Sequence, residues 1–166
     1  MSSRDWSKFV VRVPVYTDAQ KIYDLWATRS GLEKWFLRKA EFTKPDGAVV
    51  KPQDYIQTGD KYEWRWHGWS DDVVERGTFL DANGKDFLKF VFGKAGIVSV
   101  QIKIEEGAAI VELTQEEIPV DEESKFSFHV GCSTGWTFYL ANLKSVLEGG
   151  LDLRNKNIKL QKVLNS

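Results

Sequence analysis

Three side chains near the C-terminus have the chemistry for nucleophilic catalysis at a spacing that places them on neighbouring turns of a helix. They are His129, Cys132 and Ser133. An imidazole beside a thiol can act as the base that activates the sulfur. The sequence offers neither an oxyanion hole nor a carboxylate to orient the imidazole. We therefore favour the alternative, in which Cys132 is a small buried hydrophobe and His129 lies near the mouth of a pocket.

Other catalytic and cofactor chemistry finds little support in the residue types and their spacing. Two histidines and one cysteine are too few, and too widely separated, for a zinc site. The chain contains no glycine-rich phosphate loop, no G-x-S-x-G nucleophile elbow and no paired-carboxylate motif. We expect no metal and no cofactor, and we favour a binding protein over an enzyme.

Charged side chains recur along the middle of the chain, where alternation predicts strands. They are Glu63, Arg65, Glu75, Arg76 and Glu112. One interpretation places them in a pocket, where they orient a ligand. The favoured interpretation is a solvated outer sheet face with cross-strand ion pairs.

The element that must position the candidate residues is one long helix, predicted over residues 121–149. Asp121 or Ser124 supplies an N-cap, and Gly149 ends the helix without a Cβ penalty. Its apolar residues recur at spacings of three and four, which makes one stripe: Phe128, Cys132, Trp136, Tyr139, Leu140, Leu143, Val146 and Leu147. Such a helix is about 40 Å long, so only a sheet can cover it.

The residues before this helix supply that sheet. A strand at residues 6–13, which we expect Pro14 to end, is followed by two short helices separated by a break at Ser30–Gly31. Further alternating segments joined by tight turns then predict an antiparallel meander: residues 37–43, 61–67, 73–80, 87–92, 97–104 and 108–115. The fold class is therefore α+β, with a curved antiparallel sheet of about six or seven strands wrapped around the long C-terminal helix.

Composition limits the remaining function classes. The 166 residues suit one domain, with a core at about 7–149 and a polar tail at 150–166. The net charge of −1 argues against a nucleic-acid partner, and no apolar run is long enough to span a membrane. A single cysteine and the lack of an apolar leader favour the cytoplasm.

Several short segments carry a resemblance that extends over residues 7–149. Val13 precedes a helix that ends in Leu25-Trp26-Ala27-Thr28, and Leu32-Glu33-Lys34-Trp35-Phe36 follows. Gly59-Asp60 stands before an aromatic strand, and Gly135-Trp136 precedes Leu140, Leu143 and Leu147. The chain resembles the START-like (SRPBCC, helix-grip) superfamily, in the small bacterial single-domain form of the branch named after the activator of the heat-shock-protein-90 ATPase. The resemblance implies a cavity between the concave face of the sheet and the long helix.

The residues support such a cavity independently. Aromatic side chains on the inward parity exceed what one sheet–helix contact needs, although the alternative is that they are simply core. Gly131 and Gly135 each cost about 1 kcal/mol within a helix, which points to a kink or to something packed against the backbone. We predict this lining: Trp35, Trp64, Trp66, Phe90, Val100, Trp136 and Tyr139, with Gln115, His129 and Ser133 as the polar minority. For Gln115 the alternative is local capping.

Three functions remain open, because this superfamily carries many activities on one scaffold. The first is a non-catalytic module that binds a small hydrophobic or aromatic ligand, lipids included. The second is a co-chaperone or stress-related interaction protein with a chaperone partner. The third is an enzyme of the cyclase or hydrolase kind. The sequence does not identify the ligand or the oligomeric state.

Overall fold

The computed structural model describes residues 3–164 and confirms the α+β class. The elements follow in this order: β1 (Phe9–Val15), α1 (Ala19–Ala27), α2 (Arg29–Trp35), β2 (Lys39–Thr43), β3 (Lys61–Arg65), β4 (Glu75–Ala82), β5 (Phe87–Val91), β6 (Ile97–Glu105) and β7 (Ala108–Glu116). The C-terminal helix then runs in three consecutive segments: Glu122–Ser124, a π-helical Lys125–Val130, and Gly131–Leu147.

The strands form one seven-stranded antiparallel sheet in the order β1-β7-β6-β5-β4-β3-β2. Consecutive strands from β2 to β7 pair as a meander, and β1 pairs with β7 at one edge of the sheet. The pairing of β6 with β7 extends from Ile97 opposite Glu116 to Glu105 opposite Ala108. The edge strands are thus β1 and β2, and the helices cover the concave side between them.

The first strand runs from Phe9 to Val15 rather than over residues 6–13, so Pro14 lies inside it rather than after it. Pro14 stands opposite Ile110 in the register of β1 with β7. Proline lacks an N–H, which a central strand cannot accept. On an edge strand one side of the backbone has no partner, so the missing donor costs little.

The break between the two short helices falls at Thr28, not at Ser30–Gly31 as predicted. The hydroxyl of Thr28 donates to the carbonyl oxygen of Asp24 (2.7 Å) and accepts the N–H of Gly31 (3.0 Å), so it caps α2. A Cβ on Gly31 would lie 2.6 Å from the Cα of Leu25. This glycine therefore allows α1 and α2 to approach closely, and it does not end a helix.

The C-terminal helix confirms the predicted length and apolar stripe. Asp121 caps it by accepting the N–H of Ser124 (3.0 Å), and Gly149 follows its end at a φ of 83°. Trp136 is 3% exposed, as predicted, and Leu140 and Leu143 continue its buried face. The π-helical turn, in which the N–H of Gly131 reaches the carbonyl oxygen of Phe126, was not predicted.

The segment after the helix docks beside α2 through buried polar groups. The Arg154 guanidinium donates to the carbonyl oxygens of Leu37 (3.0 Å) and Glu33 (3.1 Å). Burial opposes the charge of Asp152, but hydrogen bonds from Arg154 and Lys156 outweigh it and lower the pKa of that carboxyl. These contacts anchor the start of the tail beside α2.

Candidate functional site

A cavity of about 380 Å³ lies between the C-terminal helix and one end of the sheet. Phe36, Trp66, Trp69 and Phe92 come from loops that follow α2, β3 and β5. The helix supplies the opposite wall, and the tail contributes one residue: Ser127, Gly131, Cys132, Thr134, Gly135, Trp136, Phe138, Tyr139 and Leu164. The volume falls within the range typical of small-molecule sites.

Two glycines create space in the helical wall. A Cβ on Gly135 would meet no heavy atom within 4 Å, and one on Gly131 would come only to 3.7 Å from the carbonyl oxygen of Phe126. No neighbouring atom therefore comes so close to the helix that it requires a glycine at either position. The sequence suggested a kink or something packed against the helix backbone, whereas the structure shows both glycines facing the cavity.

Aromatic contacts hold the cavity walls in place, and Phe36 is their centre. Its ring stacks on Trp136 at a centroid distance of 5.0 Å and meets Tyr139 edge-on at 4.9 Å. Trp66 contacts it edge-on at 5.7 Å. Phe92 packs against Trp136 at 5.6 Å. Such ring pairs are each worth about 0.5–1.5 kcal/mol beyond burial, so the walls are preorganised.

Of the predicted lining residues, the structure brings Trp66, Trp136 and Tyr139 to the cavity. Four others are buried behind it in the packed core, each at most 2% exposed: Trp35, Trp64, Phe90 and Val100. The prediction that their side chains point to the inside of the fold was correct. Side chains fill most of the concave face, so only its far end stays open, and their contact with a ligand stays a prediction.

Gln115 is fully buried and lies behind the cavity wall, where it hydrogen-bonds to a wall residue. Its Oε1 accepts the indole N–H of Trp136 (2.9 Å), and its Nε2 donates to the carbonyl oxygen of Ala95 (2.9 Å). It thus orients a wall residue instead of pointing an amide into the cavity.

His129 and Ser133 do not join the lining. His129 is 2% exposed, its Nδ1 donates to the carbonyl oxygen of Trp6 (2.9 Å), and its ring packs against Trp6 and Phe9. Ser133 donates its hydroxyl back to the carbonyl oxygen of Val130 (3.0 Å). Both side chains therefore have local structural partners.

Cys132 lines the cavity, although its chemistry is not that of an activated thiol. Burial raises the pKa of the thiol, a hydrogen bond with Gln115 lowers it, and the charge of Glu75 raises it further. A thiol with a raised pKa is mostly protonated at neutral pH and is a weak nucleophile. The imidazole of His129 is engaged with Trp6, so the structure supports the pocket-lining interpretation of Cys132.

The charged residues of the strands mostly lie on the outer face, as the favoured interpretation predicted. Glu63 pairs with Arg76 (3.1 Å) and Arg65 (3.1 Å), and Arg12 pairs with Glu112 (3.0 Å). Glu75 is the exception.

Glu75 lies directly opposite the buried Trp64 in the register of β3 with β4, so it belongs to the inner face. Burial raises the pKa of its carboxyl, and the N–H of Arg76 partly offsets this. Glu75 precedes the buried Phe79 by four residues, which is two full periods of a strand. Strict alternation along β4 therefore already predicted that Glu75 lies on the inner face.

Several lining residues were not predicted. Phe92 follows Phe90 at the inward parity, and Phe36 adjoins Trp35, so both were within reach of sequence reasoning. Trp69 and Leu164 lie in segments with no periodic pattern, and nothing local points to them. Within residues 3–164, no group of three or more His, Cys, Asp or Glu side chains lies together as metal ligands, and no helix is long and apolar enough to cross a bilayer.

Comparisons with known proteins agree with this architecture. The family model described as Activator of Hsp90 ATPase homolog 1-like protein matches residues 16–148. Protein SSP2350 from Staphylococcus saprophyticus is similar in structure, with a TM-score of 0.69, 15% identity, and coverage of 89% of this chain and 96% of that one.

Two further solved structures have the same fold at low identity. The Aha1 dimer from Colwellia psychrerythraea gives a TM-score of 0.65 at 17% identity, covering 86% of this chain and 97% of that one. Protein BH1534 from Bacillus halodurans gives 0.61 at 16% identity, covering 84% and 96%. No curated protein matches the chain.

Proposed function

Because the chain belongs to the Activator of Hsp90 ATPase homolog 1-like family, we propose that it is a binding protein that holds a small, largely aromatic molecule in the cavity beside the C-terminal helix. One observation carries the proposal. Gly131 and Gly135 leave space in the helical wall that faces the aromatic rings of Phe36, Trp66 and Phe92. A helix with no ligand to accommodate gains stability from alanine at such positions.

The energetics require more than apolar contact. Apolar burial contributes about 25 cal/mol per Å², so a ligand that buries ~200 Å² gains about 5 kcal/mol before the cost of association. Micromolar affinity corresponds to about 8 kcal/mol. The cavity thus needs a ligand with several rings or one well-placed polar contact.

The test fills the cavity without weakening the helix. In Gly135→Leu the new side chain occupies the open space, and replacing glycine within a helix favours folding by up to about 1 kcal/mol. We expect binding of aromatic probes, followed by tryptophan fluorescence, to weaken at least tenfold while the melting temperature holds or rises. Ala141→Leu adds a side chain on an exposed position of the same helix and serves as the matched control.

Two outcomes contradict the proposal. One is that no member of a panel of fatty acids, flavonoids and aromatic acids or amines perturbs the tryptophan spectrum of the unmodified protein. The other is that Gly135→Leu binds as tightly as Ala141→Leu.

A co-chaperone role is the second candidate, and the family relationship favours it. Phe126 (75% exposed) and Val130 (38% exposed) lie on the first turns of the C-terminal helix and offer apolar surface to a partner. We would measure the ATPase rate of a bacterial heat-shock protein 90 with and without this chain. A stimulation that Phe126→Ser abolishes and Gly135→Leu leaves intact favours this role over the ligand-binding one. We propose the cytoplasm as the location, because Cys132 has no second cysteine with which to pair.

A further inference from the structure

We propose that the ligand of this cavity carries a positively charged nitrogen, and that Glu75 is the group that recognises it. The inference rests on the proposed binding function and narrows it to organic cations with an aromatic or apolar body. Four features support it: the position of Glu75, its missing partner, the reach of its charge and the composition of the cavity walls.

The position follows from the strand register. Lys61 through Trp64 pair with Thr78 through Glu75 without a bulge, so Glu75 shares the inner face with Trp64. A Cβ on Gly93 would overlap the Glu75 carboxylate, which shows that this carboxylate occupies the space beside Gly93. Gly93 directly follows Phe92, a residue of the cavity wall. The carboxylate therefore lies at the start of β4, beside the residue that follows the wall residue Phe92.

The missing partner separates Glu75 from other carboxylates of the sheet. Glu63 and Glu112 on the outer face each form ion pairs with two basic side chains. Within the described residues Glu75 forms no ion pair, and the N–H of Arg76 is the hydrogen bond that offsets its burial. Half-buried carboxylates are usually paired, because removal from water disfavours the charge. The desolvation of the Glu75 carboxylate therefore stays uncompensated until a cation binds beside it.

The charge of Glu75 reaches the cavity lining. It raises the pKa of the Cys132 thiol, and Cys132 lies on the helical wall. It also contributes, after burial, to the raised pKa of Tyr62 on the neighbouring strand. No basic side chain lines the cavity to neutralise this field: the lining within residues 3–164 contains no Lys, Arg or His.

The walls themselves favour the same ligand class. Aromatic rings carry a negative potential that attracts ammonium groups, and seven of the lining residues are aromatic: Phe36, Trp66, Trp69, Phe92, Trp136, Phe138 and Tyr139. An anionic ligand such as a fatty acid meets repulsion from Glu75 and finds no compensating cation. The electrostatics thus discriminate by the sign of the ligand's charge.

The experiment compares three probes that share one ring system. They are (1-naphthylmethyl)trimethylammonium, its neutral isostere 1-neopentylnaphthalene, and 1-naphthylacetate. Binding is measured by tryptophan fluorescence and calorimetry at neutral pH. We expect the cation to bind at least tenfold more tightly than the neutral isostere, and the carboxylate to bind most weakly.

Substitution of Glu75 then tests the assignment. In Glu75→Gln the preference for the cation over the isostere should fall to about threefold or less, while the isostere binds as before. Glu63→Gln removes the same charge from the outer face of the neighbouring strand and should leave the preference unchanged.

The outcomes separate this inference from the proposed function. Equal binding of cation and isostere, or a preference that survives Glu75→Gln, overturns the role of Glu75 and leaves a binding protein of another specificity. Failure of all three probes, together with the wider panel, overturns both.

Discussion

Replacement of Gln115 by leucine should destabilise the protein by about 2–4 kcal/mol, although leucine has a similar volume. The amide of Gln115 satisfies two buried groups, the indole N–H of Trp136 and the carbonyl oxygen of Ala95, each at 2.9 Å. Leucine leaves both unpaired at a position that is 0% exposed. An unsatisfied buried group costs about 1–3 kcal/mol, and the apolar gain of leucine offsets part of the sum.

The assay is urea denaturation followed by tryptophan fluorescence, with Gln101→Leu as the control. The Gln101 amide donates to the carbonyl oxygen of Asp86 (3.1 Å), but it is only partly buried, so water can replace it. We expect a change below about 1 kcal/mol for the control.

A double-mutant cycle distinguishes the hydrogen bond from a general packing defect. Trp136→Phe removes the indole N–H, so Gln115→Leu should cost about 1 kcal/mol less in that background than in the unmodified protein. Additive effects of the two substitutions would refute the reasoning that Gln115 acts on the cavity wall through this bond.

Four further predictions follow from other contacts. Trp136→Ala should cost about 3–5 kcal/mol in urea denaturation, because Trp136 is 3% exposed, and a loss below about 0.5 kcal/mol would contradict its packing. Burial raises the folded-state pKa of Glu75, so its ionisation destabilises the fold above the unfolded pKa of about 4.3. Glu75→Gln should therefore be more stable than the unmodified protein at pH 7, with the difference closing as the pH falls through the folded-state pKa toward 4; a constant difference in melting temperature contradicts this. Arg154→Ala should cost about 2 kcal/mol in the same denaturation assay, since it leaves the carbonyl oxygens of Leu37 and Glu33 without the guanidinium donor, while Asp152 keeps Lys156 as an ion-pair partner. Deletion of residues 158–166 should change stability by less than about 0.5 kcal/mol and speed ligand entry in stopped-flow fluorescence, because Leu164 leaves the cavity; an unchanged rate contradicts a role at the entrance.

The sequence predicted the fold well wherever a regular period spans many residues. The stripe from Phe128 to Leu147 has a helical period over five turns, β7 alternates over its nine residues, and β6 alternates from Ile97 to Ile102. In both cases the period determines which residues share a face, so the local sequence is enough to predict which face is buried. The outer-face ion pairs of Glu63 and Arg76 followed from the same parity.

Single glycines and prolines were harder to interpret, because their effect depends on what lies nearby in space. Gly31 looked like a helix break, but it permits a contact with Leu25 of the preceding helix. Pro14 looked like a strand end, but β1 lies at the edge of the sheet, where a missing donor is tolerated.

The candidate site shows the same division between local pattern and tertiary contact. Residue type and parity alone determined that Trp64, Trp66 and Trp136 face the space between the sheet and the helix. Only the tertiary structure decided that Phe36 and its neighbours fill this space around Trp64 and leave it open at Trp66 and Gly135. The physical reason is that parity gives the direction of a side chain, whereas an empty volume depends on the sizes and positions of all the side chains that converge on it from distant parts of the chain.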